Sequence, residues 1–230
     1  MIGELLPEAV ITEVAYGDPP EGRLEPEEAA VVARAVEKRQ LEFTSVRHCA
    51  RLALGRLGVP YRPLVPGLRG TPSWPAGVVG SLTHCEGFRA AAVARAGVLT
   101  SIGIDAEPAL PLPEGVLEVV ALPSEQRRIA ALRAAHPQVP WDRVLFSAKE
   151  SVYKAWFPLA LRFLEFTEAE LTVSADGTFT ARVLVPAPTV DGRPLSRFDG
   201  RWTVRGGLLA TAIAVLPVPS EGAPGISSNP

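Results

Sequence analysis

The chain has 230 residues, 47% of them hydrophobic, with a formal net charge of −2 and a mean hydropathy of +0.17. That suffices for one large domain or two small lobes and excludes a disordered chain, while the near-neutral charge gives no pull toward nucleic acid or an anionic membrane. No apolar run is long enough to cross a bilayer, the first ten residues lack a secretory signal, and Cys49 and Cys85, without CxxC spacing, read as buried thiols of a reduced, cytoplasmic protein.

"EAVITEVAYG" (8–17) is rich in β-branched and apolar residues and predicts a strand, which "DPPEG" turns. A helix is expected over 25–38, with Pro26 at its first position, acids in its first turn and bases in its last. A second, over 41–58, carries the apolar stripe Leu41, Val46, Cys49, Ala50, Ala53 and Leu57 and stops at Gly58. Residues 58–80 are dense in Pro and Gly and should wrap around as an ordered loop. "VVGSLTH", "FRAAAVAR" and "GVLTSIGID" predict three strands, antiparallel because short turns separate them. Further on, Ser124 is placed to cap a helix over 124–136, and Asp142 one over 142–157 that Pro158 closes. Hairpins are expected about Asp176-Gly177 and Gly206-Gly207, and residues 217–230, without an apolar pattern, should be disordered. Helices and strands recur in both halves without strict βα alternation, which predicts an α+β protein with room for two similar lobes.

Chemistry concentrates in three places. In an extended "SIGIDAEP", Asp105 and Glu107 share a face, and two adjacent carboxylates call for a cation. Hard oxygen donors suit Mg²⁺ shared with a phosphate, although a bare DxE is more often a solvated strand end. In "LFSAKESVYKAWF", Leu145, Ala148, Val152 and Ala155 form a core stripe, and Glu150 and Lys154 lie four apart on another face. That pair is either a surface ion pair or a third metal ligand with a lysine for phosphate oxygens, and Lys149 adds charge at the rim. Arg39, Arg47, Arg51 and Arg69 could grip a phosphate bidentately, and His84 could donate to one; singly, each reads as an ordinary surface or structural residue. His48, His136 and the two cysteines give no zinc spacing, and neither GxxxxGK[ST] nor GxGxxG occurs.

Taken together, "GSLTHCEGF", "GIDAEP" and "FSAKESVYKAWFPL", in that order and at those separations, resemble the Sfp/EntD-like phosphopantetheinyl transferases, and "VRHCAR" and "TPSWPAGVVGSLTH" resemble their actinobacterial branch. The similarity runs from the first helix through the last hairpin. It implies two similar α+β lobes, each a small, mainly antiparallel sheet with a packed helix: an N-terminal lobe over 1–102 and a C-terminal lobe over 103–216, with coenzyme A in the cleft between them. The implied activity is Mg²⁺-dependent transfer of phosphopantetheine from coenzyme A to a serine of an acyl or peptidyl carrier protein, in fatty acid, polyketide or nonribosomal peptide lines, with release of 3′,5′-ADP. Carried over by position, Asp105, Glu107 and Glu150 are the ligands of Mg²⁺ (or Mn²⁺), and Glu150 and Lys154 are catalytic. Arg39, Arg47 and Arg69 serve the adenosine 3′-phosphate, His84 a phosphate, and Lys154 the pyrophosphate with Lys149 nearby. A monomer is expected. Trp156, Phe157, Leu161 and Phe163 offer either a carrier-docking strip or ordinary core. The rival readings are a Mg²⁺-dependent phosphohydrolase of nucleotides or coenzyme A, using water as nucleophile, and a non-catalytic binding module.

Overall fold

Two antiparallel sheets meet edge to edge in the computed structural model, which describes residues 1–217; the tail expected to be disordered lies almost entirely outside them. The first sheet consists of β1 (Ile11–Tyr16), β2 (Val78–Cys85) and β3 (Phe88–Arg95), in the order β1-β3-β2. It is covered by α2 (Glu37–Arg56), which follows the short α1 (Pro26–Val32). The α2 helix begins a full turn before the expected Leu41, and Phe43, Val46, Cys49, Ala50, Ala53 and Leu54 are the apolar side chains it buries. Leu41 falls outside that stripe and is exposed. Both cysteines are free and buried, and burial pushes their thiols up to about 11 for Cys49 and about 12 for Cys85, so they stay protonated.

The third expected strand corrects the simple meander. β4 (Ser101–Pro108) does not pair with β3 but heads the second sheet, and the expected junction at 102/103 falls inside it. That sheet also holds β5 (Ala169–Val173) and β6 (Thr178–Val183), and then, after the small ribbon β7 (Thr189–Val190) and β8 (Arg193–Pro194), β9 (Arg197–Arg205) and β10 (Leu208–Val215). Its order is β4-β10-β9-β6-β5, all antiparallel. Both expected hairpins form; Gly206 and Gly207 join β9 to β10 with φ of 60° and 78°, as a two-residue turn with positive φ at both centres requires.

Three helices decorate this lobe: α3 (Val116–Val120), α4 (Pro123–Ala135) and α5 (Trp141–Ala160). The caps differ from expectation. Pro123, at the first position of α4, draws the helix start upstream, and the Ser124 hydroxyl donates to Glu170 at 2.7 Å instead of capping. α5 likewise begins before Asp142, whose carboxylate accepts the Leu112 N–H at 3.1 Å. Pro158 does not end α5, which continues to Ala160 before Leu161 turns left-handed at φ 50°. In the last turn a proline removes only the bond to the carbonyl four residues back, here that of Lys154.

Instead of one core per lobe there are three clusters. One lies under α2, one under α5, and a third fills the opposite face of both sheets, where Phe88, Ala90, Ala92, Ile102, Ile104 and Ala212 meet Ile2 and Leu6. Where the sheets meet, the β2 and β4 edges are joined by side chains rather than by a backbone ladder. The Ile104 N–H donates to Ser81 Oγ at 3.1 Å and the Ala106 N–H to Thr83 Oγ1 at 3.0 Å. On its other side β4 touches α5 backbone to backbone: a Cβ on Gly103 would lie 2.0 Å from the Ser151 carbonyl oxygen. Among the described residues no helix is long and apolar enough to cross a membrane.

Candidate functional site

The seam between the sheets opens into a cleft of about 290 Å³, bounded by α2, the loop around residues 69–72, β2, β4 and α5. Alternation along β4 sends Ile104 and Ala106 to the shared core and Asp105 and Glu107 to the opposite face, against α5, as the sequence predicts.

Asp105 is buried and accepts three hydrogen bonds. Lys154 Nζ donates to its Oδ1 at 2.7 Å, Thr83 Oγ1 to the same oxygen at 3.3 Å, and Ser147 Oγ to Oδ2 at 2.8 Å. Lys154 is further held by the Ile104 carbonyl at 3.0 Å. Beneath Asp105 lies a buried hydroxyl chain. Thr211 Oγ1 donates to the Ser147 carbonyl at 2.9 Å, so it accepts from Ser151 Oγ at 2.6 Å. The Asp105 carboxylate can only accept, so the Ser147 hydroxyl gives its proton to Asp105. The sequence reading missed Ser147, Ser151 and Thr211; their signal is two serines four apart on α5, small polar residues at positions that bury.

Glu107 pairs with Arg143 Nη1 at 3.0 Å, another partner the sequence reading missed, one helical turn before Ser147. Burial, and then the charge of Asp105, raise the Glu107 carboxyl above the usual range. Glu150 is half-buried and makes no hydrogen bond or ion pair among the described residues; burial raises its carboxyl too, against the opposing pull of Lys154, and Asp105 adds to the rise. Asp105, Glu107 and Glu150 thus share one field but are oriented by different partners. Among the described residues no three His, Cys, Asp or Glu side chains form a metal-holding group, so the expected convergence of these acids is not present in this arrangement.

The opposite wall is basic. Arg39 Nη1 lies 2.9 Å from His84 Nε2, with Glu42 3.7 Å from Nδ1. An arginine can only donate, so Nε2 accepts and the ring proton sits on Nδ1, facing Glu42. Burial holds His84 below its ordinary value, with Arg39 adding to the fall against Glu42. His84 therefore orients Arg39 here and does not present an N–H to the cleft. Arg47 is buried, stacks 3.6 Å above the Phe43 ring and donates to the Leu64 carbonyl. Burial lowers it to about 10, which still leaves it charged. Arg69, at φ 53°, reaches across from the first lobe to lie 4.9 Å over Phe163 of the second.

Two basic residues are elsewhere. Arg51 donates to the Arg23 carbonyl and Glu25 and lies over Tyr61, away from the cleft. Lys149, expected at the rim, is instead buried in the second lobe: it pairs with Glu125 at 2.9 Å and donates to the Phe166 and Ala169 carbonyls at 2.6 and 2.9 Å. The aromatic strip also divides, with Trp156 and Phe157 in the core and Leu161 and Phe163 exposed.

A cleft with a cationic wall, a carboxylate floor and a lysine between them is built for an anionic, phosphorylated ligand. Residues 27–94 match the 4'-phosphopantetheinyl transferase N-terminal domain, and residues 101–202 match the 4'-phosphopantetheinyl transferase superfamily. The chain belongs to that superfamily, transferases that modify carrier proteins using coenzyme A. It is 62% identical over 219 residues to 4'-phosphopantetheinyl transferase Svp of Streptomyces mobaraensis, a match covering 94% of this chain and 89% of that one. It is 46% identical over 224 residues to 4'-phosphopantetheinyl transferase PptT of Mycobacterium tuberculosis, covering 94% and 98%. With 4'-phosphopantetheinyl transferase Npt of Nocardia iowensis it shares 48% over 223 residues, covering 93% and 99%. The actinobacterial resemblance read from the motifs agrees with these relatives.

Proposed function

We propose that this cleft transfers phosphopantetheine from coenzyme A to a serine of an acyl or peptidyl carrier protein, releasing 3′,5′-ADP. The observation that carries the reading is Glu150, a half-buried carboxylate with no partner among the described residues, in the same cleft as Lys154, Arg39 and Arg47. Displacement at a pyrophosphate phosphorus needs neutralised charge and an in-line nucleophile more than covalent catalysis. Arg39, steadied by His84, together with Arg47 and Arg69, holds the adenosine 3′-phosphate. Glu150, whose burial strengthens it as a base, takes the serine proton as the serine oxygen bonds to phosphorus. Lys154 neutralises the oxygen of 3′,5′-ADP as its bond to phosphorus breaks. Lys149 has no part in this chemistry.

Asp105, Glu107 and Glu150 fit a divalent ion, Mg²⁺ or Mn²⁺. They are hard oxygen donors, and the charge of Asp105 bears on both glutamates, so gathering them requires a cation. Lys154 on Asp105 and Arg143 on Glu107 supply positive charge in this arrangement. An ion held there would polarise the pyrophosphate and offset its negative charge. Two free thiols suit a reducing cytoplasm, and a cleft completed within one chain needs no second copy.

The test is incubation with coenzyme A, Mg²⁺ and apo carrier proteins of fatty acid, polyketide and nonribosomal peptide types. A mass gain of one phosphopantetheine supports transfer, and nucleotide release without a carrier supports hydrolysis. Glu150→Gln should lower turnover by about 10²–10⁴-fold; wild-type turnover would remove Glu150 from the mechanism.

A further inference from the structure

One buried acid of the first lobe is not explained by this chemistry. Glu28 is fully shut off from solvent at the third position of α1. Its Oε2 accepts the Glu25 N–H at 3.0 Å and closes the first turn of the helix. Helix capping needs no more than that. Yet Oε1 reaches outward to accept the Leu64 N–H at 2.8 Å and the Tyr61 hydroxyl, pinning the loop that follows α2. The carbonyl of the same Leu64 accepts Arg47 Nε at 3.4 Å and Nη2 at 3.1 Å. Arg47 has no carboxylate within ion-pair distance among the described residues; one carbonyl and the Phe43 ring hold it. Among the described residues its Nη1 makes no hydrogen bond, and the residue lines the cleft.

We infer that Glu28 is a positioning residue for the nucleotide: through Leu64 it fixes the place and angle of the Arg47 guanidinium, and so sets the preference for coenzyme A over the same molecule lacking its 3′-phosphate. The inference rests on the reading of Arg47 given under Proposed function. A guanidinium recognises phosphate through a rigid planar fork, so recognition depends on how firmly the other side of the fork is held. Outer partners of this kind commonly change affinity by about 10–100-fold, as known for metal ligands. The charge of Glu28 also offsets the burial of Arg47.

The second lobe contains the control. Glu125, equally buried, accepts the Leu122 N–H at 2.7 Å and the Leu171 N–H at 2.6 Å, but its cation is Lys149, which does not face the cleft. Glu125→Gln therefore damages a similar anchor without touching Arg47. The experiment uses the full chain, an apo carrier protein, and coenzyme A or 3′-dephospho-coenzyme A as donor. Glu28→Gln should raise KM for coenzyme A about tenfold, keep kcat within about twofold and leave KM for the dephospho donor unchanged. Glu125→Gln should lower the melting temperature and leave the ratio of the two donors where it was. An unchanged ratio in Glu28→Gln, or an equal loss of ratio in both variants, overturns the inference. Wild-type discrimination by Arg47→Ala overturns the reading of Arg47 instead, so the two failures are distinguishable. If Glu28→Gln does not fold, Glu28→Asp keeps the charge but withdraws it from Leu64 by one methylene. Calorimetric titration of that variant with 3′,5′-ADP against 5′-AMP supports the inference if discrimination falls and overturns it if discrimination holds.

Discussion

The two lobes bury the same kind of anchor and use it differently. Each has a glutamate at the third position of a helix that begins with proline, Glu28 in α1 and Glu125 in α4. Each binds its own helix start with one oxygen and a distant leucine N–H with the other. In the second lobe the matching cation, Lys149, meets Glu125 directly and spends its remaining donors on backbone carbonyls. In the first, Glu28 lies 3.9 Å from Arg51, which faces away from the cleft, while a peptide stands between it and Arg47, and Arg47 retains a donor for the cleft. Arg47 stays available to the cleft because, among the described residues, no carboxylate pairs with it directly.

The sharpest way to break this comparison is Lys149→Met. It leaves Glu125 charged, buried and unpaired, and should cost about 3–5 kcal/mol in urea unfolding while transfer per folded molecule stays near wild type. Adding Glu125→Gln should recover much of that loss. Next come the seam variants Ser81→Ala and Thr83→Val. Each strands one β4 amide, Ile104 or Ala106, and should cost about 1–3 kcal/mol, with Thr83→Val also lowering turnover because Asp105 loses a donor. Arg47→Met should be milder in stability, about 1 kcal/mol, because it leaves only the Leu64 carbonyl wanting, yet KM for coenzyme A should rise at least about tenfold. If Arg47→Met destabilises more than Lys149→Met, the contrast between the lobes fails.

The smallest effect is acidic. Hydrogen bonds from Ser124, Arg128 and Arg182 hold the Glu170 carboxyl down to about 2, against an ordinary 4.5. A depressed folded value means that its contribution is present above the ordinary value and is lost as pH falls from there through about 2. Glu170→Gln should therefore flatten the decline of stability below about pH 4.5, read by the fluorescence of Trp141, Trp156 and Trp202, all in that lobe.

Periodicity made much of this legible. Alternation placed Asp105 and Glu107 on one face of β4, and a 3.6-residue stripe placed α5 correctly on its sheet. The misreading of Lys149 was avoidable, since residues five apart on a helix point about 140° apart, so Lys149 and Lys154 cannot share a face. Other features leave no local trace. A short turn announces two antiparallel segments but not that Ser101 begins a different sheet, and nothing in "SLT" tells a hydroxyl in a seam from one in solvent. Ser124 failed as a cap because Pro123, one residue earlier, already fits the first helical position.

The backbone contact at Gly103 has a consequence for how this enzyme tolerates change. Strand and helix rest on each other there with no side chain between them, so the spacing between Asp105 and Lys154 is set by main-chain atoms that every sequence shares. Core residues farther out on α5 can drift in size over many generations without moving Lys154 against Asp105, provided that one position never acquires a methyl group.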